Sequence, residues 1–232
     1  INKIATIRNA RGAETPSVTE AAIKIQEFGG QGITIHPRPD ERHITRKDVY
    51  DLKPLVYTEF NIEGNPHRPF IDMVLEVKPE QVTLVPDADD AITSNQGWDC
   101  EKNLDFLKSV IAKFKNAGIR TSIFLDPNPE MVKFAAETGT DRIELYTEGY
   151  ARNYETDKES AIKPYYETAL EATKYGLGIN AGHDLSLDNL KYFADNIPNL
   201  LEVSIGHALI SEALYLGLEN TIQAYLKRLA KW

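Results

Sequence analysis

Four of the five histidines in this 232-residue chain, His36, His43, His183 and His207, lie at or just beyond the ends of short β-branched runs. Two glutamates, Glu63 and Glu144, end or interrupt such runs in the same way. Imidazole titrates near neutrality, and a neighbouring carboxyl can pass it a proton or take one from it. Any one of these residues alone reads as a hydrogen-bonded structural group. If they converge, they are equipped for proton transfer near neutral pH.

A second set of residues is cationic. Lys3, Arg8, Arg11, Arg38, Arg42 and His43 crowd into the first 43 positions. Guanidinium groups match phosphate oxygens two at a time. The chain carries a formal charge of −9, from 26 Lys and Arg against 35 Asp and Glu. Cations gathered at one place in such a chain read as a funnel for anions. Arg42 and Arg46 read as solvated, whereas Arg8, Arg11 and Arg38 follow directly on strand-like runs. Two glycine turns complete the set, Asn180-Ala181-Gly182-His183 and Ser204-Ile205-Gly206-His207. At the second, Gly206 lets backbone approach an anion, and a helix starting at about His207 would aim its free N–H groups at it. No His-x-His or HExxH spacing marks a metal site, so none is expected. Cys100 has no nucleophile context and reads as packing.

These side chains need elements to hold them. Strand-like runs occupy residues 32–36, 59–63, 81–85, 120–125, 142–146, 178–181 and 201–205. Asn2-Lys3-Ile4 reads as the end of a first strand cut short at the N-terminus, which makes eight. Between the runs the apolar period becomes helical. Val18, Ala21, Ala22, Ile25 and Phe28 share one face, Leu104, Leu107, Ile111 and Phe114 another, and Ile222, Tyr225, Leu226 and Leu229 a third. Asn128 before Pro129, and Ser186, read as helix starts. Gly29, Gly118 and Gly176 read as helix stops. Alternation without a Gly-rich dinucleotide turn predicts an α/β fold, a (β/α)8 TIM barrel in one domain over 1–232, with extra helices possible. Active sites of this fold lie at the C-terminal ends of the strands, so the rule gathers His36, Glu63, Glu144, His183 and His207 at one mouth.

The bulk numbers exclude several classes. A net charge of −9 does not suit a nucleic-acid surface. No run approaches the ~20 apolar residues of a membrane span. A single cysteine points to a reducing compartment, here the cytoplasm.

Ile4-Ala5-Thr6-Ile7-Arg8-Asn9-Ala10-Arg11-Gly12, Gly32-Ile33-Thr34-Ile35-His36-Pro37-Arg38-Pro39-Asp40-Glu41-Arg42-His43-Ile44, Asn61-Ile62-Glu63, Asn180-Ala181-Gly182-His183 and Ile205-Gly206-His207-Ala208 follow one another along nearly the whole chain. In that order they resemble the signatures of the pyridoxine 5'-phosphate synthase family. The resemblance implies condensation of 1-deoxy-D-xylulose 5-phosphate with 3-amino-2-oxopropyl phosphate to pyridoxine 5'-phosphate, phosphate and water. It implies no cofactor or metal, and a homo-octamer. By matching position, His36 and Glu63 would be general bases, His183 the proton donor and Glu144 a stabiliser of cationic or transition-state species. Arg38, His43 and Thr93 match positions that hold the sugar phosphate. Arg11, Asp184, Gly206 and His207 match those around the aminoketone phosphate, and Asn2 and Lys3 are further substrate contacts. The family pattern has Asp-His where this chain has Asn2-Lys3, and Gly where it has Asp184.

Two other readings fit the same residues. One is another cofactor-free barrel acting on phosphorylated sugars, an isomerase or an aldolase. A Schiff-base aldolase would need a lysine inside a strand, and the predicted strands contain none. The other is a non-catalytic barrel that binds phosphorylated metabolites, which would have no use for two glutamates beside two histidines.

Overall fold

The computed structural model describes residues 1–12, 14–87 and 94–230. Its strands are β1 (Gly32–Ile35), β2 (Glu59–Gly64), β3 (Gln81–Leu84), β4 (Arg120–Leu125), β5 (Arg142–Tyr146), β6 (Gly178–Gly182) and β7 (Leu200–Ser204). Its helices are α1 (Asn2–Asn9), α2 (Val18–Glu27), α3 (Arg46–Leu52), α4 (Arg68–Val77), α5 (Leu104–Asn116), α6 (Pro129–Glu137), α7 (Glu148–Asn153), α8 (Lys158–Lys174), α9 (Leu190–Asn196), α10 (His207–Leu216) and α11 (Leu218–Leu229). The strands pair in chain order, all parallel, as successive crossovers in a β/α barrel require. Seven strands nearly close the barrel. Across the remaining gap Thr34 Oγ1 stands 3.5 Å from Ser204 Oγ. A cavity of about 560 Å3, lined by Ile33, Val203, Leu209 and Leu226 among others, lies between β1 and β7.

The predicted strands 32–36 to 201–205 agree with β1–β7 to within one residue at each end. The eighth does not. Residues 2–4, read as the end of a first strand, belong to α1. The pattern there has a period of three to four: Ala5 is buried, Ile1 and Ile4 pack on the core, and Lys3, Thr6 and Ile7 face out. Ile1 meets β1 through its amino group, which donates to the Thr34 carbonyl at 2.8 Å.

Local signals place most of the helices. Asn128 accepts from the Glu130 N–H and starts α6, with Pro129 at its first position. Thr45 and Asp48 form a reciprocal capping box on α3. Gly29, Gly118 and Gly176, at φ 97°, 78° and 70°, end α2, α5 and α8 in a conformation that disfavours a Cβ. Ser186 is a correction: α9 begins at Leu190 with Asn189 as its cap, and Asn189 Oδ1 takes the Ser186 N–H at 2.9 Å. Among the described residues no helix is long and apolar enough to cross a membrane.

Alternation along the strands sorts the molecule into two interiors. Ile33, Phe60, Val82, Ile123, Ile143 and Ile179 face the helices and are almost fully buried there. Each such burial contributes roughly 1.5–3 kcal/mol, and this outer shell is the apolar core. The residues of the other parity meet inside the barrel. Gln81 Nε2 donates to Glu202 Oε2 at 3.3 Å, and Asn180 Nδ2 to Gln81 Oε1 at 3.4 Å, bonds that cross from β3 to β7 and β6. Residues i and i+2 share a face. Ser122 and Phe124, Glu144 and Tyr146, Asn61 and Glu63, and Thr34 and His36 therefore line the same interior, closer to the mouth.

Candidate active site

The mouth begins where β1 and β2 end. His36 immediately follows β1, and Asn2 Oδ1 accepts its backbone N–H at 2.9 Å. Its Nδ1 stands 3.8 Å from Glu63 Oε2, and both side chains are nearly buried. Glu144, one strand pair from the end of β5, is 1% exposed, and its Oε2 has no hydrogen-bond partner among the described residues. A Cβ on Gly182 would lie 2.5 Å from Glu144 Oε1, so a side chain there would displace this carboxyl from its position.

His183 comes next, held in an uncommon backbone conformation at φ 78°, with Asp184 at φ 62°. The Thr147 hydroxyl lies 2.6 and 2.5 Å from the Gly182 and His183 carbonyls, and Asn189 Nδ2 donates to the Asp184 carbonyl at 3.1 Å. The imidazole sits edge-on between Phe124 and Tyr146, at 5.0 and 5.3 Å between ring centroids. Three elements thus fix its direction.

Desolvation sets the protonation of these groups. Burial pushes the Glu63 carboxyl up to about 7, and the charge on Asp87 works the same way. Burial also holds Glu144 well above the carboxylate range, with Glu63 and Glu202 adding to it and the Thr83 hydroxyl opposing. The imidazoles move the other way. His36 falls well below its ordinary value through burial and then the nearby Arg38, His43 falls to about 4 for the same two reasons, and burial lowers His183 against the pull of Asp184. At neutral pH the mouth therefore holds unprotonated imidazoles beside carboxyls that retain or share protons, which is a set of acceptors and donors ready for exchange.

The cations divide into three kinds. Arg38 is buried and paired with Asp87 at 2.7 Å. Arg8, expected in the anion funnel, is taken out of it by Asp48, whose two oxygens accept from its guanidinium at 2.6 and 2.9 Å. That pair ties α1 to α3, so Arg8 is an anchor. Arg42 contacts Asp40 at the surface, and His43 accepts the Ile44 N–H on Nδ1 at 2.8 Å. Arg11 and Lys3 are exposed, and the charge of Lys3 reaches both His43 and His183. Thr93 lies outside the described residues.

The second phosphate-like turn takes the predicted form. Gly206 caps α10, which starts at His207, and a Cβ at Gly206 would meet nothing within 4 Å. Both residues are exposed, so the first N–H groups of a ten-residue helix face open space at the barrel rim.

Three features went unseen in the sequence. Phe124 and Tyr146 flank His183, and strand parity alone would have turned both inward. Asp87 lies three residues beyond β3, where the same end-of-strand rule that found His36 applies. Ser122, buried and with no hydrogen-bond partner for its hydroxyl among the described residues, lies inside the barrel at the level of Thr83, its register partner on β3.

Residues 1–231 match the model of the family described as pyridoxal phosphate biosynthesis protein PdxJ. Pyridoxine 5'-phosphate synthase of Christiangramia forsetii is 66% identical over 229 residues, 99% of this chain and 97% of that protein. The protein of that name in Bacteroides thetaiotaomicron is 63% identical over 225 residues, covering 97% and 95%. In fold, the chain is similar to phosphoribosylanthranilate isomerase from Thermotoga maritima, with a TM-score of 0.58 at 15% identity, covering 91% and 93% of the two chains.

Proposed function

Because the chain belongs to the PdxJ family, we propose that its barrel mouth makes pyridoxine 5'-phosphate in vitamin B6 biosynthesis, by condensing 1-deoxy-D-xylulose 5-phosphate with 3-amino-2-oxopropyl phosphate. The observation that carries the site assignment is Glu63: a buried carboxyl poised at about 7, 3.8 Å from an unprotonated imidazole. A condensation that forms an imine, loses water and phosphate and closes an aromatic ring is a series of proton transfers. A base works best when its pKa lies near the working pH.

His36 and Glu63 act as the general bases, drawing protons from carbon or nitrogen of the bound intermediates. His183, its ring set by Phe124 and Tyr146, returns a proton to a departing oxygen. Glu144 lies deeper. Ionised, it would oppose positive charge on an iminium; neutral, it can donate a hydrogen bond. Arg38 and His43, with Thr93, receive the sugar phosphate. The rim formed by Gly206, His207 and the start of α10 receives the aminoketone phosphate, with Asp184 and Arg11 beside it. Asn2 holds the His36 backbone, and Lys3 lends positive charge to the approach. The substrates are small phosphorylated molecules, the setting is cytoplasmic and the assembly is an octamer. Exposed apolar residues on α10, Leu214 and Tyr215 at 72% and 90%, favour self-association.

Incubation of the purified protein with both phosphorylated substrates, followed by the ultraviolet absorbance of pyridoxine 5'-phosphate, tests the reading directly. Product should require both substrates. If a folded sample consumes one of them without the other, the mouth performs a different reaction, of the isomerase or aldolase type.

A further inference from the structure

Arg38 and Asp87 form an ion pair with almost no solvent: their side chains are 5% and 2% exposed. Asp87 Oδ2 accepts from Arg38 at 2.7 Å and from the Ser94 hydroxyl at 2.7 Å. Asn65 Nδ2 holds the Asp87 carbonyl at 2.9 Å, while Asp87 Oδ1 has no partner among the described residues. Burying a carboxylate with one oxygen doubly engaged and the other without a partner among the described residues is a poor way to stabilise a fold, since the desolvation cost of such a pair can exceed its attraction. What the arrangement does achieve is geometric. A planar guanidinium held at one nitrogen in a nearly solvent-free pocket has few orientations left for its remaining N–H groups.

We propose that Asp87 is the positioning residue for Arg38: it fixes the guanidinium so that its unpaired edge meets the phosphate of the sugar substrate, with Ser94 bracing the carboxylate. This rests on the reading of Arg38 as a phosphate ligand. The same carboxylate shapes the field at the bases. Glu63 is faced by Arg38, Asp87, the Ile1 amino group, His36 and Glu144, and His183 by Asp184, Asp87, Arg38 and Lys3. Burial is the largest influence on both, and the charge of Asp87 raises both.

The test compares Asp87→Asn, which removes the charge at nearly constant shape, with Asp87→Glu, Arg38→Ala and Ser94→Ala. In Asp87→Asn the KM for 1-deoxy-D-xylulose 5-phosphate should rise roughly ten- to a hundredfold, the range expected for loosening one or two charge-assisted hydrogen bonds. The KM for the aminoketone phosphate and kcat at the pH optimum should stay within a few-fold. The acidic limb of the kcat/KM profile should move to lower pH, because Glu63 loses a negative neighbour. Asp87→Glu should return that limb toward its wild-type position. Equal increases in both KM values with an unmoved pH limb would make Asp87 a merely structural residue and overturn the proposal. Should Asp87→Asn not fold, Ser94→Ala decides. It should raise only the sugar-phosphate KM, with no pH shift, and an unchanged KM would count against the bracing. Arg38→Ala separates the two levels of argument. If it leaves the sugar-phosphate KM unchanged, the phosphate reading of Arg38 fails; if it raises that KM while Asp87→Asn does not, only the inference about Asp87 fails.

Discussion

The inside of this barrel has two polar regions, and they treat carboxylates in opposite ways. At the floor, Glu202 meets Arg142 at 2.5 Å and Arg120 at 3.3 Å, with Gln81 and Asn180 donating to its other oxygen. Glu59 pairs with Arg120 there as well. At the mouth, Glu63 faces an imidazole at 3.8 Å and Glu144 no cation at all among the described residues. Both regions are built by the same alternation on the same strands. One region provides the carboxylates with guanidinium partners and holds them in structural ion pairs. The other leaves Glu63 and Glu144 desolvated and without a guanidinium partner among the described residues, which strengthens their hold on a proton. Floor residues should therefore report in stability and mouth residues in turnover.

Glu63→Gln should show the largest effect. The amide is nearly isosteric but cannot take a proton, so turnover should fall ~10²–10⁴-fold while substrate binding holds and the melting temperature does not fall. Steady-state kinetics with a parallel melt decide it; activity within a few-fold of wild type would remove Glu63 from the chemistry.

The floor should respond in the other currency. Arg142→Ala strips Glu202 of its shorter ion pair and leaves Arg120 to hold it. Breaking a buried pair costs ~3–5 kcal/mol, and the partial exposure of both side chains, 15% and 33%, puts the expectation near the lower end. Urea unfolding measures it, and the folded fraction should keep its kcat. Lost turnover with unchanged stability would dissolve the division between floor and mouth.

A pH series sharpens the same contrast. The folded pKa of Glu63, about 7, lies above the ordinary 4.5. The native state thus binds this proton more tightly, a stabilisation complete below pH 4.5 and lost as pH rises through about 7. Glu144 shifts in the same direction and acts with the same sign. The lowered histidines act oppositely: their contribution is present above 6.5 and fades as pH falls toward about 4 for His43. Glu63→Gln should match wild type near pH 4.5 and exceed it at pH 8.5 by ~2–3 kcal/mol, by linkage. Parallel urea melts at the two pH values check this. A constant difference would mean that Glu63 ionises freely in the fold.

Much of this was legible in the sequence because strands and barrels obey short-range rules. Seven strand runs, the cap at Asn128 and the stops at Gly29, Gly118 and Gly176 all follow from local backbone preference. The end-of-strand rule then brought His36, Glu63 and His183 together. The failures involve partners distant in sequence. Arg8 reads as a free cation until Asp48, 40 residues away, is seen to occupy it. Asp87 carries no signal of its own in the sequence until Arg38, 49 residues back, closes on it. The helical N-terminus was misread because three residues are too few to separate a period of two from one of 3.6.

The smallest effect concerns Asp184, where the family pattern has glycine. Its φ of 62° lies in the left-handed region, which a side chain enters at some cost and glycine does not. Asp184→Gly relieves that strain but gives the unfolded chain more freedom, so the net gain should be modest, ~0.5–1 kcal/mol, or a rise of ~1–4 °C in melting temperature. The same change removes an exposed carboxylate from beside the rim assigned to the aminoketone phosphate. Binding of that substrate should tighten by a few-fold at low salt and by less at physiological ionic strength, because exposed charges are screened over ~8 Å. The charge of Asp184 also supports the His183 proton, so the pKa of His183 should fall further in the variant. Scanning calorimetry, a titration at two salt concentrations and a pH profile read the three consequences separately. A loss of stability would show that the Asp184 side chain anchors the loop, and a salt-independent change in affinity would show that its carboxylate does not face the phosphate.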